Sequence, residues 1–292
     1  MLGGAVLTLR DVSKTYRVGA FGGGSLRAID EVSFDVHPGE VVSLIGESGS
    51  GKTTIGRMIL RLISVSSGRI ELDATDISTL HGDNLTAYYR RVQGVFQDPF
   101  SSFNPIFKAD RVFRMMRDTY HRNLPADEWH ARLENALQDV ALNPRDVLGK
   151  YPHQLSGGQL QRLLVARALL LDIEYLVADE IISMLDASTR IDVLNLLGDL
   201  KQRGLGIVFI THDLSLGNYI SDATVILRRG SIVEMGETAK VFGDPRHPYT
   251  RMLLAAVPQL HTKWAADGGD AAALENGATA LVEVDAGHLA AI

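Results

Sequence analysis

Cysteine is absent from the 292-residue sequence. Without thiols there is no disulfide, no thiolate metal site and no cysteine-held iron–sulfur cluster, and the composition suits a reducing cytosol. Long apolar runs are also missing. The most apolar stretch, 163–171, is cut by Arg167 and falls well short of the roughly 18–20 residues of a membrane span. Met1 to Arg10 lacks the basic start, apolar core and cleavage site of an export signal, so export is not expected. No pair of histidines stands at metal-ligand spacing, which gives no ground for a protein-held zinc. Positive charge is missing from the end of the chain: after Trp264 there are five acids, Asp267, Asp270, Glu275, Glu283 and Asp285, and no lysine or arginine. Removing those five from the formal charge of −6 leaves residues 1–264 at −1. So neutral a body argues against a nucleic-acid binder that works through a broad basic face, and leaves only a local basic patch open.

What is present is enough apolar material, 46% of residues, for one large or two ordinary domains. Apolar alternation predicts strands at Val6–Arg10 and Ile29–Val36, joined by a loop containing Gly22, Gly23 and Gly24. That glycine run has no helix pattern after it and reads as a hairpin connection rather than an anion cradle. Short apolar runs at Val41–Ile45, Val92–Phe96, Tyr175–Ala178 and Ile207–Thr211 predict buried strands of a parallel sheet, with helices at Thr53–Leu62 and from about Ser188 to Arg203. A helix-rich middle, about 98–170, predicts a second lobe, and Ala223–Arg228 with Ile232–Met235 a closing hairpin. There is no internal repeat of 20–50 residues. The α/β core with its helical insert is expected over 1–258. The acidic tail over 259–292, rich in alanine and glycine, is expected to be weakly ordered, with Ala280–Val284 apolar enough to form a short docked element instead.

Between strand 41–45 and the helix after it stands Gly46-Glu47-Ser48-Gly49-Ser50-Gly51-Lys52-Thr53, which fits G-x-x-x-x-G-K-[ST] in the context where that pattern carries meaning. Glycines let the backbone wrap an anion, Lys52 reaches the β- and γ-phosphates, and the Thr53 hydroxyl can bind Mg²⁺. A nucleoside triphosphate with magnesium is the expected ligand. Strand 175–178 ends in Asp179-Glu180, a carboxylate for magnesium and one that can polarise an attacking water, or a pair that caps the next helix. Leu155-Ser156-Gly157-Gly158-Gln159 opens the next apolar helix, and reads as a second anion-binding helix end or as a plain serine cap.

Taken together, these motifs resemble the ATP-binding-cassette (ABC) ATPases over about residues 5–258. The phosphate loop at 46–53, Gln97 after a strand, LSGGQ at 155–159, Asp179-Glu180, Ser183-Met184-Leu185-Asp186 and His212 after a strand stand in the family's order. The resemblance implies a P-loop NTPase cassette with an antiparallel β subdomain and a helical subdomain. It implies ATP and Mg²⁺ as ligands, with Gly46, Glu47, Ser48, Gly49, Ser50, Gly51, Lys52, Thr53 and Thr54 around the phosphates. Catalysis would involve Glu180, His212, Gln97 and Lys52, and Thr53, Gln97 and Asp179 would serve the metal. In that family two cassettes pack head to tail, so Ser156, Gly158 and Gln159 would touch the partner's nucleotide and Asp186 would bridge the sites. Tyr16 would stack on adenine, or pack on the neighbouring strand; His212 would contact the γ-phosphate, or cap a loop.

Residues 95–105 (Val-Phe-Gln-Asp-Pro-Phe-Ser-Ser-Phe-Asn-Pro) and 247–254 (His-Pro-Tyr-Thr-Arg-Met-Leu-Leu) are similar to segments of the dipeptide and oligopeptide importer ATPases. His-Pro-Tyr is also good chemistry for a helix start. Two departures stand out. Ile181 replaces a commonly found proline, and the cysteine-bearing C-terminal segment of many such ATPases has no counterpart here. The resemblance implies a peripheral subunit on the inner face of the cell membrane, importing di/oligopeptides or related solutes such as oligosaccharides. Its partners would be two transmembrane permeases, a second identical or paralogous ATPase and, indirectly, a solute-binding protein. The rival class is a soluble ABC ATPase acting on nucleic acid or ribosomes; the second cassette, coiled coil or zinc module common there is not visible in this sequence.

Overall fold

The computed structural model describes residues 6–18, 24–256 and 280–292. Its strands are β1 (Leu7–Val18), β2 (Gly24–Val36), β3 (Val41–Ile45), β4 (Ser67–Leu72), β5 (Thr75–Asp76), β6 (Val92–Val95), β7 (Tyr175–Asp179), β8 (Gly206–Thr211), β9 (Ala223–Arg228), β10 (Ser231–Glu237), β11 (Leu281–Asp285) and β12 (His288–Ala291). The chain divides into two compact units, residues 1–79 with 206–292, and residues 80–205. No helix among the described residues is long and apolar enough to cross a membrane.

The first unit carries two sheets. In the antiparallel one, order β2-β1-β4-β5, Leu7, Leu9 and Val12 of β1 lie beside Val36, Phe34 and Val32 of β2, all of them buried, as is Ile29 further along β2. β1 runs on to Val18, well past the expected Arg10, because its outer half pairs with β2 as a ribbon ending at Val18↔Gly24. Gly22 and Gly23 lie outside the described residues. In the other sheet β3 lies parallel between β8 and β9, and every residue of β3 and β8 is buried, which is why both read as unbroken apolar runs. The antiparallel strands β10, β12 and β11 continue from β9. One core cluster gathers Ile45, Leu214, Ile226, Val233, Val241 and Tyr249. Truncating a fully buried member such as Ile45 to alanine would cost about 2–5 kcal/mol.

The end of the chain differs from expectation. Residues 280–292 are not a loose tail but a hairpin whose β12 pairs with β10, with His288, Ala290 and Ala291 buried. It is the docked alternative for Ala280–Val284 that forms, and it reaches as far as Ala291. The expectation for 267–277 falls outside the described residues.

The second unit holds the parallel pair β6–β7 and most of the helices: Gly82–Arg91, Arg111–Tyr120, Ala126–Asp139, Pro144–Val147, Gly157–Leu169 and Ala187–Gln202. Gly157–Leu169 is buried along most of its length, including Leu160, Leu163, Leu164, Val165, Ala166 and Ala168, and packs on Ala126–Asp139. Arg167 on the same helix is half-buried, with Nη2 donating to the Gly94 carbonyl at 2.8 Å; desolvation of its guanidinium pulls its pKa down.

Candidate nucleotide site

In the first unit the loop 46–51 leaves the end of β3 and turns directly into the helix Lys52–Ile59. Position 46 admits only glycine, since a Cβ there would run into the Leu227 carbonyl oxygen and lie 2.8 Å from Ser50 Oγ. Gly51 holds the helix N-cap in the left-handed region at φ 107°. Lys52, only 5% exposed, turns back over the loop: Nζ donates to the carbonyls of Gly46 at 2.7 Å and Glu47 at 2.8 Å, and to Ser50 Oγ at 3.3 Å. Thr53 and Thr54 are half-buried on the first turn. A loop without side-chain bulk at 46, an ammonium drawn inside it and a helix start with no side-chain cap make a fitting cradle for the phosphates of a nucleotide.

The other expected residues of this unit are more open. Tyr16, on β1 opposite Leu26, is 38% exposed with the Lys14 ammonium 5.2 Å from its ring centre. His212 is exposed just beyond β8, and the capping of the next helix falls to Asp213, which accepts from Ser215 N–H at 2.9 Å and Leu216 N–H at 3.3 Å.

One residue of the loop's surroundings escaped the sequence reading. Tyr249, 1% exposed, accepts the Glu47 backbone N–H at 3.1 Å. It stands in the wall of an open cleft of about 320 Å³ that is also lined by loop residues 47–50, Arg228, Arg229 and Met252. The available signal was an aromatic on the inward face of the helix opened by His-Pro. His247 indeed caps that helix, Nδ1 accepting the Tyr249 N–H at 3.1 Å. Burial raises the Tyr249 hydroxyl's pKa and lowers that of His247.

In the second unit, β7 ends in Asp179, 5% exposed, and Glu180 follows with a left-handed backbone at φ 50°. The turn is closed by Ser183, whose N–H and hydroxyl both donate to the Glu180 carbonyl at 3.1 and 2.9 Å, and Ile181 is buried in it. A non-glycine residue held in that region is costly and concentrates at functional positions. Gln97 is exposed beyond β6.

Ser156 and Gln159 form a reciprocal cap on Gly157–Leu169: Ser156 Oγ accepts the Gln159 N–H at 3.2 Å and Gln159 Oε1 accepts the Ser156 N–H at 2.9 Å. A Cβ at Gly158 would strike the Thr189 methyl. Thr189 is in turn bound by Asp186, which accepts its N–H at 3.0 Å and its hydroxyl at 2.9 Å and takes the Ser188 hydroxyl at 2.7 Å. These bonds lower the Asp186 pKa to about 2, the Thr189 amide first among them. The second unit thus joins LSGGQ to the Asp186 segment through Thr189.

A family model for the ABC transporter matches residues 29–183, more than half of the chain. The chain belongs to the ABC transporter family. It is therefore an ATP-binding cassette of a family that hydrolyses ATP, and its mixed α/β architecture is that of such cassettes. A second model, the oligopeptide/dipeptide transporter C-terminal region, matches 233–279. Among similar proteins, a Brucella ovis ATP-binding protein whose name assigns it to peptide import is 42% identical over 254 residues, 87% of this chain and 78% of that one. The oligopeptide transport ATP-binding protein OppF of Streptococcus mutans is 41% identical over 87% of this chain and 82% of its own. Among solved structures, the dimeric ATP-binding cassette MJ0796, in a post-hydrolysis state bound to ADP and Pi, superposes with a TM-score of 0.70 at 28% identity, covering 80% of this chain and 98% of that one.

Proposed function

We propose that the chain is the ATP-hydrolysing subunit of an ABC importer for di- and oligopeptides or related solutes, working on the cytoplasmic face of the membrane. The observation that carries this reading is the joining, in one chain, of a cassette with the C-terminal region of oligopeptide/dipeptide transporters, matched at 233–279. The names of the Brucella and Streptococcus relatives support it, and they lend nothing to a soluble ATPase acting on nucleic acid or ribosomes. Two permeases, a second ATPase and an external solute-binding protein are the partners it requires. The dimeric MJ0796 structure supports pairing with a second cassette.

In this reading loop residues 46–51 hold the ATP phosphates by their backbone N–H groups, Lys52 supplies a fixed positive charge, and Tyr16 stacks on the base. Lys52 is already drawn into the loop by two carbonyls, so little reorganisation is needed to place its charge. Magnesium, when bound, neutralises phosphate charge; Thr53, Gln97 and Asp179 are assigned to hold it. Glu180 orients the attacking water and takes its proton, and His212 contacts the γ-phosphate. Ser156, Gly158 and Gln159 serve a partner cassette's nucleotide, and Asp186 connects the two sites. ATP binding closes the cassettes and hydrolysis releases them, which drives the permeases between access states.

The test is peptide uptake. A strain deleted for this chain should lose import of labelled small peptides, and the wild-type chain, but not Lys52→Ala, should restore it. Uptake that survives deletion, together with recovery of the chain on ribosomes rather than membranes, would overturn the assignment.

A further inference from the structure

The Gly46–Glu47 peptide is gripped at both ends. Its carbonyl accepts from Lys52 Nζ at 2.7 Å, and its N–H donates to Tyr249 Oη at 3.1 Å. Rotating that peptide would break both bonds. We propose that Tyr249 is a positioning residue for ATP binding: it fixes the entry of the phosphate loop and so makes nucleotide affinity depend on the C-terminal region of the chain. This rests on the reading of 46–53 as the phosphate site.

The placement of Tyr249 is itself over-determined. Its ring is packed in the core with Ile45, Ile226 and Val241, so the hydroxyl is delivered from the same cluster that holds the end of β3. Its helix, Pro248–Ala255, begins with a proline that needs no amide partner and with the His247 cap on the Tyr249 N–H. The segment before it is tied down by Glu234, a side chain with no solvent exposure, whose carboxylate accepts the Arg246 N–H at 2.7 Å and the His247 N–H at 3.0 Å. The same carboxylate lies 2.7 Å from His288 Nε2 on β12. A continuous series of short polar contacts therefore runs from the terminal hairpin through Glu234, His247 and Tyr249 to the phosphate loop. All of it lies within the first unit. Tyr249 touches no reacting atom; it acts through the loop.

The experiment measures ATP affinity of the full chain by calorimetry without magnesium, beside steady-state hydrolysis. Tyr249→Phe keeps the ring in its pocket and removes only the hydroxyl; the dissociation constant and KM should both rise about five- to tenfold while kcat stays within about twofold. His247→Ala, which frees the helix start, should shift affinity the same way, and His247→Asn, which restores an acceptor for the Tyr249 N–H, should recover it. Lys52→Ala separates the two readings. If it binds ATP normally, the phosphate-site reading falls; if it loses ATP while folded Tyr249→Phe binds within twofold of wild type, only the role of Tyr249 falls. Should Tyr249→Phe fail to fold, amide exchange at Glu47 in His247→Ala decides: faster exchange with weaker ATP binding supports the proposal, and unchanged exchange and binding overturn it.

Discussion

Glu234 and His288 meet at 2.7 Å with both side chains withdrawn from solvent, and this contact fastens the last strand of the chain to β10. A buried carboxylate that loses one partner keeps its desolvation cost. His288→Ala leaves Glu234 with two backbone donors and a cavity where the ring stood, so unfolding stability should drop by about 2–4 kcal/mol. Denaturant unfolding checks this. A loss below about 1 kcal/mol would mean that β12 is held by its backbone pairing alone.

Glu180→Gln preserves the size of the side chain and one hydrogen-bonding oxygen while removing the base. Hydrolysis should fall by roughly 10²–10³-fold with ATP affinity retained, because the phosphates are held elsewhere. Single-turnover kinetics give the first quantity, and size exclusion with ATP and Mg²⁺ should show a longer-lived dimer. Near-normal turnover would assign the water to another group.

Burial, opposed by Glu234 and assisted by Arg228, holds the His247 imidazole below its ordinary 6.5. Because Nδ1 accepts the Tyr249 N–H, only the neutral ring can cap the helix. The folded state resists a proton that the unfolded chain takes up readily. The cap's contribution is thus complete above about pH 6.5 and is lost as the pH falls through the depressed folded value. Wild-type stability should decline between pH 7 and pH 5 more steeply than that of His247→Asn. Thermal unfolding across that range decides it, and parallel profiles would remove the cap from the account.

The site was legible in the sequence wherever function demands a residue type at a fixed spacing. Gly46 is forced by the Leu227 carbonyl beside it, and Ser156 with Gln159 spells a reciprocal cap within four residues. β3, β7 and β8 were legible because strands buried on both faces tolerate almost nothing but apolar side chains. Tyr249 was not, since its partner lies 202 residues away and no local pattern encodes that meeting. Of the terminal hairpin the sequence offered only Ala280–Val284, as a docked alternative, and β12 was hidden for a different reason. That strand has four residues, and what secures it is a polar pair and the open edge of β10, neither of which leaves an apolar period in the composition.

That hairpin also decides what the border of its sheet offers to other chains. β10 would expose a row of unpaired amides and carbonyls; β12 covers them, and the outermost position passes to β11, five residues long and carrying the exposed Glu283 and Asp285. A short margin bearing charged side chains is a poorer template for a second strand than a long apolar one. Of the five acids after Trp264, Glu283 and Asp285 thus stand on the outermost described strand of this sheet.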